Sequence, residues 1–326
     1  MLPFHQLFFG FLVAFLVLQT HEQLQVKGQA VARPMQNDEP GLSAPAKPVI
    51  RCSSNFHTDP LTDEYTQTLV KAERKRLADI RQKMSTSSLG GSGEAHILTD
   101  AQLLAQELKT IQVVWHVIHD GAEGDLSPDV IKSQIDELNK DYKSAGFAFN
   151  LQEIQRVQNA NWFRNVLPDT YLQYEMKTAL HKGDVKTFNV YSLAMPDGVI
   201  GNCHPPWEAK TNLTNDGALI HYATLPGGTM KDFDQGKTLT HETGHFLGLY
   251  HVFQNGCNPP GDLVDDTPPQ KTITSGCPTK VQDSCPGGGV DSIHNFMDYS
   301  WDRCTTEFTE GQIVRMAAMA KEYRSL

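Results

Sequence analysis

The chain has 326 residues, which is enough for one large domain or two ordinary ones and excludes a small scaffold held together only by disulfides. Hydrophobic residues make up 39% and charged residues 20% of the sequence, so we expect most of the chain to fold. The formal net charge of −10 at pH 7 leaves few cations to neutralise phosphates, so we expect no nucleic-acid partner.

The amino terminus carries the one long apolar run of the sequence, residues 7–18. This run is too short to cross a bilayer comfortably, but it has the length of a signal-peptide core. We therefore expect residues 1–20 to be a signal peptide and the protein to be secreted and extracellular, without stable membrane association. An uncleaved signal anchor is the alternative. Asn212 begins an N-glycosylation sequon, which has meaning only in an exported chain.

The region that follows has the composition of a separate segment. Residues 21–50 are polar and contain several prolines, which is typical of extended chain. Residues 60–84 place apolar side chains at helical spacing and predict a helix. Residues 85–93 are rich in serine and glycine, which predicts a flexible linker that is accessible to cleavage. These changes predict a domain boundary near residue 95.

Beyond the linker, strand-like and helix-like patterns alternate. The β-branched and aromatic run at 111–119 predicts a strand. Ser127 and Pro128 then supply an N-cap and a first-turn proline for a helix that ends at Gly146. The later elements are expected as a strand at 147–154, a helix at 169–181, strands at 187–193 and 217–225, and, after a loop-rich stretch, a final helix at 310–323.

Six cysteines indicate an oxidising compartment. Two disulfides in the last quarter of the chain are the economical interpretation, and a zinc ribbon is the alternative, although the sequence has no C-x-x-C pair. The cysteines concerned are Cys257, Cys277, Cys285 and Cys304.

The strongest chemical signal is the segment HETGHFLGLYH at residues 241–251. On a helix, His241 and His245 lie on one face, while Glu242 faces the edge of the same site. A third ligand needs the chain to bend back. Gly248 permits that bend with a positive φ and brings His251 in from the far side.

This pattern predicts a catalytic zinc ion rather than a structural one. Three neutral imidazoles leave the fourth zinc position for water, whereas structural zinc sites are usually closed by four protein ligands. Zinc lowers the pKa of bound water towards about 7, and Glu242 can accept its proton as general base. A zinc site that has lost its activity is the alternative, although Glu242 is intact.

The motif, followed by NFMDY at residues 295–299, resembles the metzincin zinc proteases with their Met-turn. The segment at 261–268 and the stretch from Cys304 to Met316 are similar to the pappalysin family, particularly its secreted microbial metalloproteases. The resemblance covers about residues 98–326. It implies an α/β (α+β) fold: a mixed twisted sheet with the active-site helix beneath it, and a disulfide-stapled, loop-rich C-terminal subdomain. Residues 98–326 would be the catalytic domain and residues 21–97 a pro-segment-like region.

The resemblance also implies roles for single residues. Met297 would form the apolar floor beneath the zinc histidines. The hydroxyl of Tyr299 would hydrogen-bond the oxyanion of the reaction, a buried structural tyrosine being the alternative. The implied disulfides are Cys257–Cys285 and Cys277–Cys304.

Relatives in this family also bind calcium in the loop after the third histidine. Asp262, Asp266 and Thr267 offer oxygen ligands of the right type there. An ordinary Asp-rich turn is the alternative.

Cys52 lies in an Arg-Cys stretch that resembles the segment by which some relatives place a pro-segment thiolate on zinc. The glycine of that pattern is replaced here by Ser53. The alternative is a disulfide between Cys52 and Cys203, the two cysteines outside the C-terminal set.

We expect the substrate to be a peptide or protein, which adds as a strand to the edge strand at 217–225. Some relatives prefer a basic side chain after the cut and use an acidic residue directly before the last cysteine. That place is Arg303 here, with Asp302 one step earlier, so the preference is not carried over. The predicted function is a secreted zinc-dependent endopeptidase. The alternatives are a secreted zinc-binding protein with lost or minimal activity and a zinc hydrolase of small peptides or amides.

Overall fold

The described part of the chain is built on a five-stranded mixed sheet. The structure is a computed structural model, and it describes residues 49–54, 60–87 and 98–326. The expected signal peptide and most of the predicted linker lie outside these residues. The order across the sheet is β2-β1-β3-β5-β4, in which β4 alone runs antiparallel to its neighbour. The strands are β1 (Lys109–His119), β2 (Phe147–Gln158), β3 (Thr187–Leu193), β4 (Gly201–Cys203) and β5 (Ala218–His221).

The helices follow the predicted order with two additions. The predicted helices are found as α1, α3, α5, α6 and α7, and α2 and α4 are short helices that were not predicted. Side-chain caps begin several of them: Ser127 accepts a hydrogen bond from Val130 N ahead of α3, and Thr309 forms a capping box with Gln312 at the start of α7. The helices are α1 (Pro60–Ser87), α2 (Asp100–Gln106), α3 (Pro128–Tyr142), α4 (Ala160–Asn165), α5 (Tyr171–Leu180), α6 (Lys237–Phe246) and α7 (Glu310–Tyr323).

The prediction of an edge strand at 217–225 was wrong in two respects. The strand ends at His221 and the chain continues as a 3₁₀ turn over Tyr222–Thr224. It is also an interior strand, because β3 pairs with one side of it and β4 with the other. The edge of the sheet on this side is therefore β4. This strand has only three residues, so it shows no alternating pattern from which it could be predicted.

Helix α6 packs against β4, β5 and α3, and α3 holds its first half. Tyr142 Oη donates to Thr240 O at 2.8 Å, and Gln134 Nε2 donates to Gly236 O at 2.9 Å. The Lys237 ammonium group donates to the Asp141 carboxylate at 2.7 Å. These bonds fix the helix that carries the zinc motif.

Two buried arginines near the chain end hold the far end of α6. Arg315 Nε donates to Gly248 O at 2.8 Å, and Arg324 Nη2 donates to Phe246 O at 3.1 Å. Arg324 also forms a fully buried ion pair with Asp216. Removing one partner of such a pair strands a buried charge, so this contact is strongly constrained.

Residues 247–309 contain no helix or strand and are stapled by disulfides Cys257–Cys285 and Cys277–Cys304. The predicted fold class is confirmed. Helix α1 packs against α7, with Leu77 fully buried in the main core. None of the helices in the described ranges is long and apolar enough to span a membrane.

Candidate metal centre and active site

Three histidine side chains converge where α6 ends. His241 and His245 lie one turn apart on α6, and His251 follows a bend at Gly248, which has a φ of 87°. The three Nε2 atoms are 3.2, 3.1 and 3.2 Å apart. Tetrahedral zinc with bonds of about 2.0–2.1 Å to imidazole places its nitrogen ligands about 3.3 Å apart. The observed triangle therefore has the dimensions of a zinc site.

Backbone carbonyls determine which ring nitrogen carries the proton. His241 Nδ1 donates to Phe296 O at 2.7 Å, and His245 Nδ1 donates to Leu249 O at 2.8 Å. Because a carbonyl oxygen can only accept, these Nδ1 atoms are protonated and the Nε2 lone pairs face the centre. Burial lowers the pKa of all three imidazoles, that of His245 to about 3. Neutral imidazoles with converging lone pairs fit a bound cation.

Met297 lies fully buried against α6, where the sequence places the floor of the site. A Cβ atom on Gly244 would overlap the Met297 sulfur, so the glycine inside the zinc motif permits this close approach. The amide of Met297 donates to Asn295 Oδ1 at 2.9 Å, which fixes the turn that carries it.

Glu242 is fully buried beside the histidines. Its Oε2 is 3.5 Å from Cys52 Sγ, and its Oε1 has no hydrogen-bond partner among the residues described. Burial raises the pKa of this carboxyl well above its ordinary value. A buried carboxyl oxygen without a partner is costly, and such groups concentrate at catalytic sites.

Strand β4 passes directly over Glu242, and the residue there is Gly201. A Cβ atom on Gly201 would overlap Glu242 Oε1 and lie 2.8 Å from Cδ of the same carboxyl group. Sequence reasoning missed this residue. Gly201 is one of 25 glycines, and nothing in its neighbourhood in the sequence marks it.

Tyr299 also reaches the centre. Its hydroxyl donates to the carbonyl oxygen of Cys52 at 2.6 Å and lies 3.3 Å from His251 Nε2. Burial raises the pKa of this hydroxyl, so it stays protonated and can donate.

Residues 50–54 cover the outer edge of β4 and begin with a parallel bridge between Ile50 and Val199. Ile50 N donates to Gly198 O at 2.8 Å, and Ser53 N donates to Gly201 O at 3.1 Å. This pairing places Cys52 Sγ in one group with the three histidines, all ligand atoms lying within 4.8 Å of one another. The structure has no disulfide between Cys52 and Cys203.

Arg51 enters a buried pocket next to the metal centre. Its Nη2 donates to Asp302 Oδ1 at 2.6 Å and to Ser300 O at 2.7 Å, and its guanidinium lies 5.0 Å from the centre of the Phe233 ring. Both charged side chains are almost fully buried. Arg303, the residue directly before the last cysteine, instead forms a partly exposed ion pair with Asp232.

The predicted calcium ligands bind other protein groups. Asp262 Oδ1 accepts from Thr267 Oγ1 at 2.7 Å, and the Asp266 carboxylate accepts from Thr309 Oγ1 at 2.7 Å and from Gly311 N at 2.8 Å. Burial raises the pKa of Asp262 to about 7. Asp262 Oδ2 is buried and has no hydrogen-bond partner among the residues described, and the calcium ion stays a prediction.

A mixed sheet over a helix with two histidines, a third histidine after a glycine bend and a buried methionine turn define a metzincin-type zinc protease. The family described as Peptidase_M43, pregnancy-associated plasma protein-A, matches residues 174–321. An extracellular metalloprotease of Arthroderma benhamiae is 46% identical over 66% of this chain and 74% of its own length. One from Pyricularia oryzae is 43% identical over 74% and 86%, respectively. The chain belongs to this family, as the sequence resemblance predicted.

Solved structures agree with this assignment. Mature mirolysin of Tannerella forsythia, in complex with a cleaved peptide, is 26% identical with a TM-score of 0.56, over 64% of this chain and 90% of that one. A promirolysin mutant shares the fold at 23% identity and a TM-score of 0.59, over 83% of this chain and 94% of that one. The protein is a zinc-dependent endopeptidase.

Substituting Gly201→Ala tests the contact between β4 and Glu242. We expect the folded variant to lose at least about a hundredfold in peptide hydrolysis, because small displacements of catalytic groups have effects of this size. Peptidase rate per folded protein, with metal content, is the measurement. Gly227→Ala is the control for strain away from the site: its φ of 77° strains an alanine, but a Cβ atom there meets nothing within 4 Å. Equal rates in the two variants would contradict the contact.

Proposed function

We propose that this endopeptidase is secreted as a latent precursor and that residues 50–54 hold it inactive until they are removed. The observation that carries the proposal is the convergence of Cys52 Sγ with the three histidine nitrogens. In this group the histidine nitrogens form the metal site and the Cys52 thiol blocks it.

The residues divide the chemistry among them. His241, His245 and His251 hold the zinc, which when bound supplies a water of lowered pKa and polarises the substrate carbonyl. Glu242 accepts the proton of the attacking water and passes it to the leaving amine. Tyr299 donates to the carbonyl oxygen that gains negative charge. Its present acceptor, the carbonyl of Cys52, supports this role, because it is itself a peptide oxygen.

The groove that residues 50–54 occupy, along the outer edge of β4, fits an extended polypeptide as substrate. Residues 50–54 already pair with β4 through their backbone, and a substrate takes their place on the same edge by strand addition. This replaces the expected position on β5. Recognition along several residues favours a protease over a hydrolase of small amides, and the intact Glu242 disfavours a zinc-binding protein without activity.

The variant Glu242→Gln tests the general base. We expect it to keep its zinc and to lose at least about a hundredfold in rate, because positioned acid-base catalysis contributes 10²–10⁴. Metal analysis and peptide hydrolysis by the processed enzyme are measured together. Turnover near that of the unsubstituted enzyme would remove Glu242 from the mechanism.

The Cys52→Ser variant tests latency. A hydroxyl binds zinc far more weakly than a thiolate, so the unprocessed variant should hydrolyse peptide at least about tenfold faster than the unprocessed natural chain. Cys203→Ser is the matched control and should stay latent, since Cys203 lies outside the group of ligand atoms. Continued latency of Cys52→Ser would exclude the thiol as the block.

The pocket that receives Arg51 supports a preference for a basic side chain beside the scissile bond. When residues 50–54 leave, the Asp302 carboxylate loses the cation that it pairs with, Arg51. An arginine or lysine of the substrate then takes the place of that cation. Asp302 Oδ2 accepts from Gln235 N at 2.9 Å and from Lys237 N at 3.3 Å, so the carboxylate is anchored to the start of α6.

For Asp302→Asn, we expect the ratio of kcat/KM between peptides with arginine and with norleucine to fall at least about tenfold, because a buried charge pair is lost. The measurement compares matched peptides on the processed enzyme. Asp232→Asn, at the partly exposed pair with Arg303, should keep the natural ratio. A natural enzyme that shows no preference for arginine would contradict the pocket.

Export and processing complete the proposal. Residues 1–20 act as the signal peptide, residues 21–97 as the pro-segment, and Asn212, which is exposed, carries a glycan. The relatives named extracellular metalloprotease support secretion. The promirolysin form matches more of this chain than mature mirolysin does, which supports a removable segment before residue 98.

A further inference from the structure

Strand β4 directs a buried amide side chain at the segment that blocks the site. Asn202 is only 2% exposed, and its Nδ2 lies 3.4 Å from Ser53 Oγ and 3.3 Å from Ser54 Oγ. Its Oδ1 is buried and has no hydrogen-bond partner within the described ranges. An amide with an unused acceptor is an expensive group to bury on an edge strand, unless it recognises something there.

The next residue of β4 is bound by a hydroxyl group rather than by a backbone ladder. Ser54 Oγ donates to Cys203 O at 2.9 Å and accepts from Cys203 N at 3.1 Å. One side-chain oxygen therefore satisfies both backbone groups of Cys203. An aliphatic side chain in this place would leave these two backbone groups without partners, which costs binding free energy.

The contact between Ser54 and Cys203 and the contact between Arg51 and Asp302 are two separate places at which the protein recognises this segment. In the bound segment, Arg51 and Ser54 lie on opposite sides of Cys52, whose thiol lies at the metal centre. A segment that replaces residues 50–54 meets a carboxylate on one side of the metal and the groups of Asn202 and Cys203 on the other.

We propose that Asn202 and the backbone of Cys203 form a substrate subsite that selects serine or threonine, across the scissile bond from the basic residue. A primary amide donates and accepts, as a hydroxyl does, so the two are complementary in either orientation of the amide. The inference rests on the proposed function, because it requires that substrates bind where residues 50–54 lie.

The first experiment measures the substrate selectivity of the processed enzyme. Each peptide carries one arginine beside the cut. On the other side of the cut, each of the first three positions is tested in turn with a matched pair of peptides, one with serine and one with alanine at that position. We expect serine to raise kcat/KM about threefold to tenfold at one position, the worth of a neutral hydrogen bond. In Asn202→Ala this ratio should fall, because only the backbone groups of Cys203 then remain to bind the hydroxyl.

Asn150→Ala is the matched control, because Asn150 is an exposed asparagine on β2 whose amide contacts Gln112. It should keep the natural ratio. A ratio near one at every position in the natural enzyme would overturn the subsite, and so would a ratio that Asn202→Ala leaves unchanged.

The second experiment needs no catalysis and uses the unprocessed chain. The alkylation rate of Cys52 by iodoacetamide, followed by mass spectrometry, reports how often residues 50–54 leave the groove. Ser54→Ala and Asn202→Ala should each raise this rate about threefold to tenfold, and the double variant should raise it by less than the product of the two.

Single effects that multiply fully in the double variant would show that the two side chains do not interact, and would overturn the inference. If no form of the protein hydrolyses peptide while the alkylation rates are coupled, the proposed function fails and recognition of the hydroxyl by Asn202 stands.

Discussion

Three imidazole lone pairs directed at one point are the constraint on which the rest of the structure depends. Without a cation such an arrangement is unfavourable, so the surrounding chain must hold it in place. Two carbonyl oxygens do this directly, those of Phe296 and Leu249, and both lie in stretches without regular structure. Those stretches are themselves held by the arginines of the last helix region and by two disulfides, so the loop-rich part of the molecule serves the metal site.

The segment at residues 50–54 occupies nearly every group that a substrate needs. It uses the edge of β4 for its backbone, Tyr299 for a carbonyl and Asp302 for a cation, and it adds a thiol at the metal centre. In the proposed function, latency and substrate recognition therefore draw on one set of contacts. If residues 50–54 act as the proposed pro-segment, their sequence is a guide to the specificity of the enzyme.

Burial has opposite consequences in different parts of the molecule. The Arg324–Asp216 pair is satisfied and fastens the end of α6, whereas Glu242 Oε1 and Asn202 Oδ1 are buried with no partner among the residues described. Unsatisfied buried groups lower stability, and proteins retain them where function requires them. Both of these atoms belong to residues that lie against the segment at residues 50–54.

Sequence alone determined the elements and ligands that depend on local spacing. The motif at residues 241–251 predicted a helix with His241 and His245 on one face and a bend at the glycine after them, because these are properties of neighbouring residues. Only the tertiary structure decided that β4 forms the edge, that Gly201 must lack a side chain, and that Asp302 rather than Arg303 faces Arg51. Each of these depends on a contact between residues far apart in the chain, and such contacts leave no periodic mark in a single sequence.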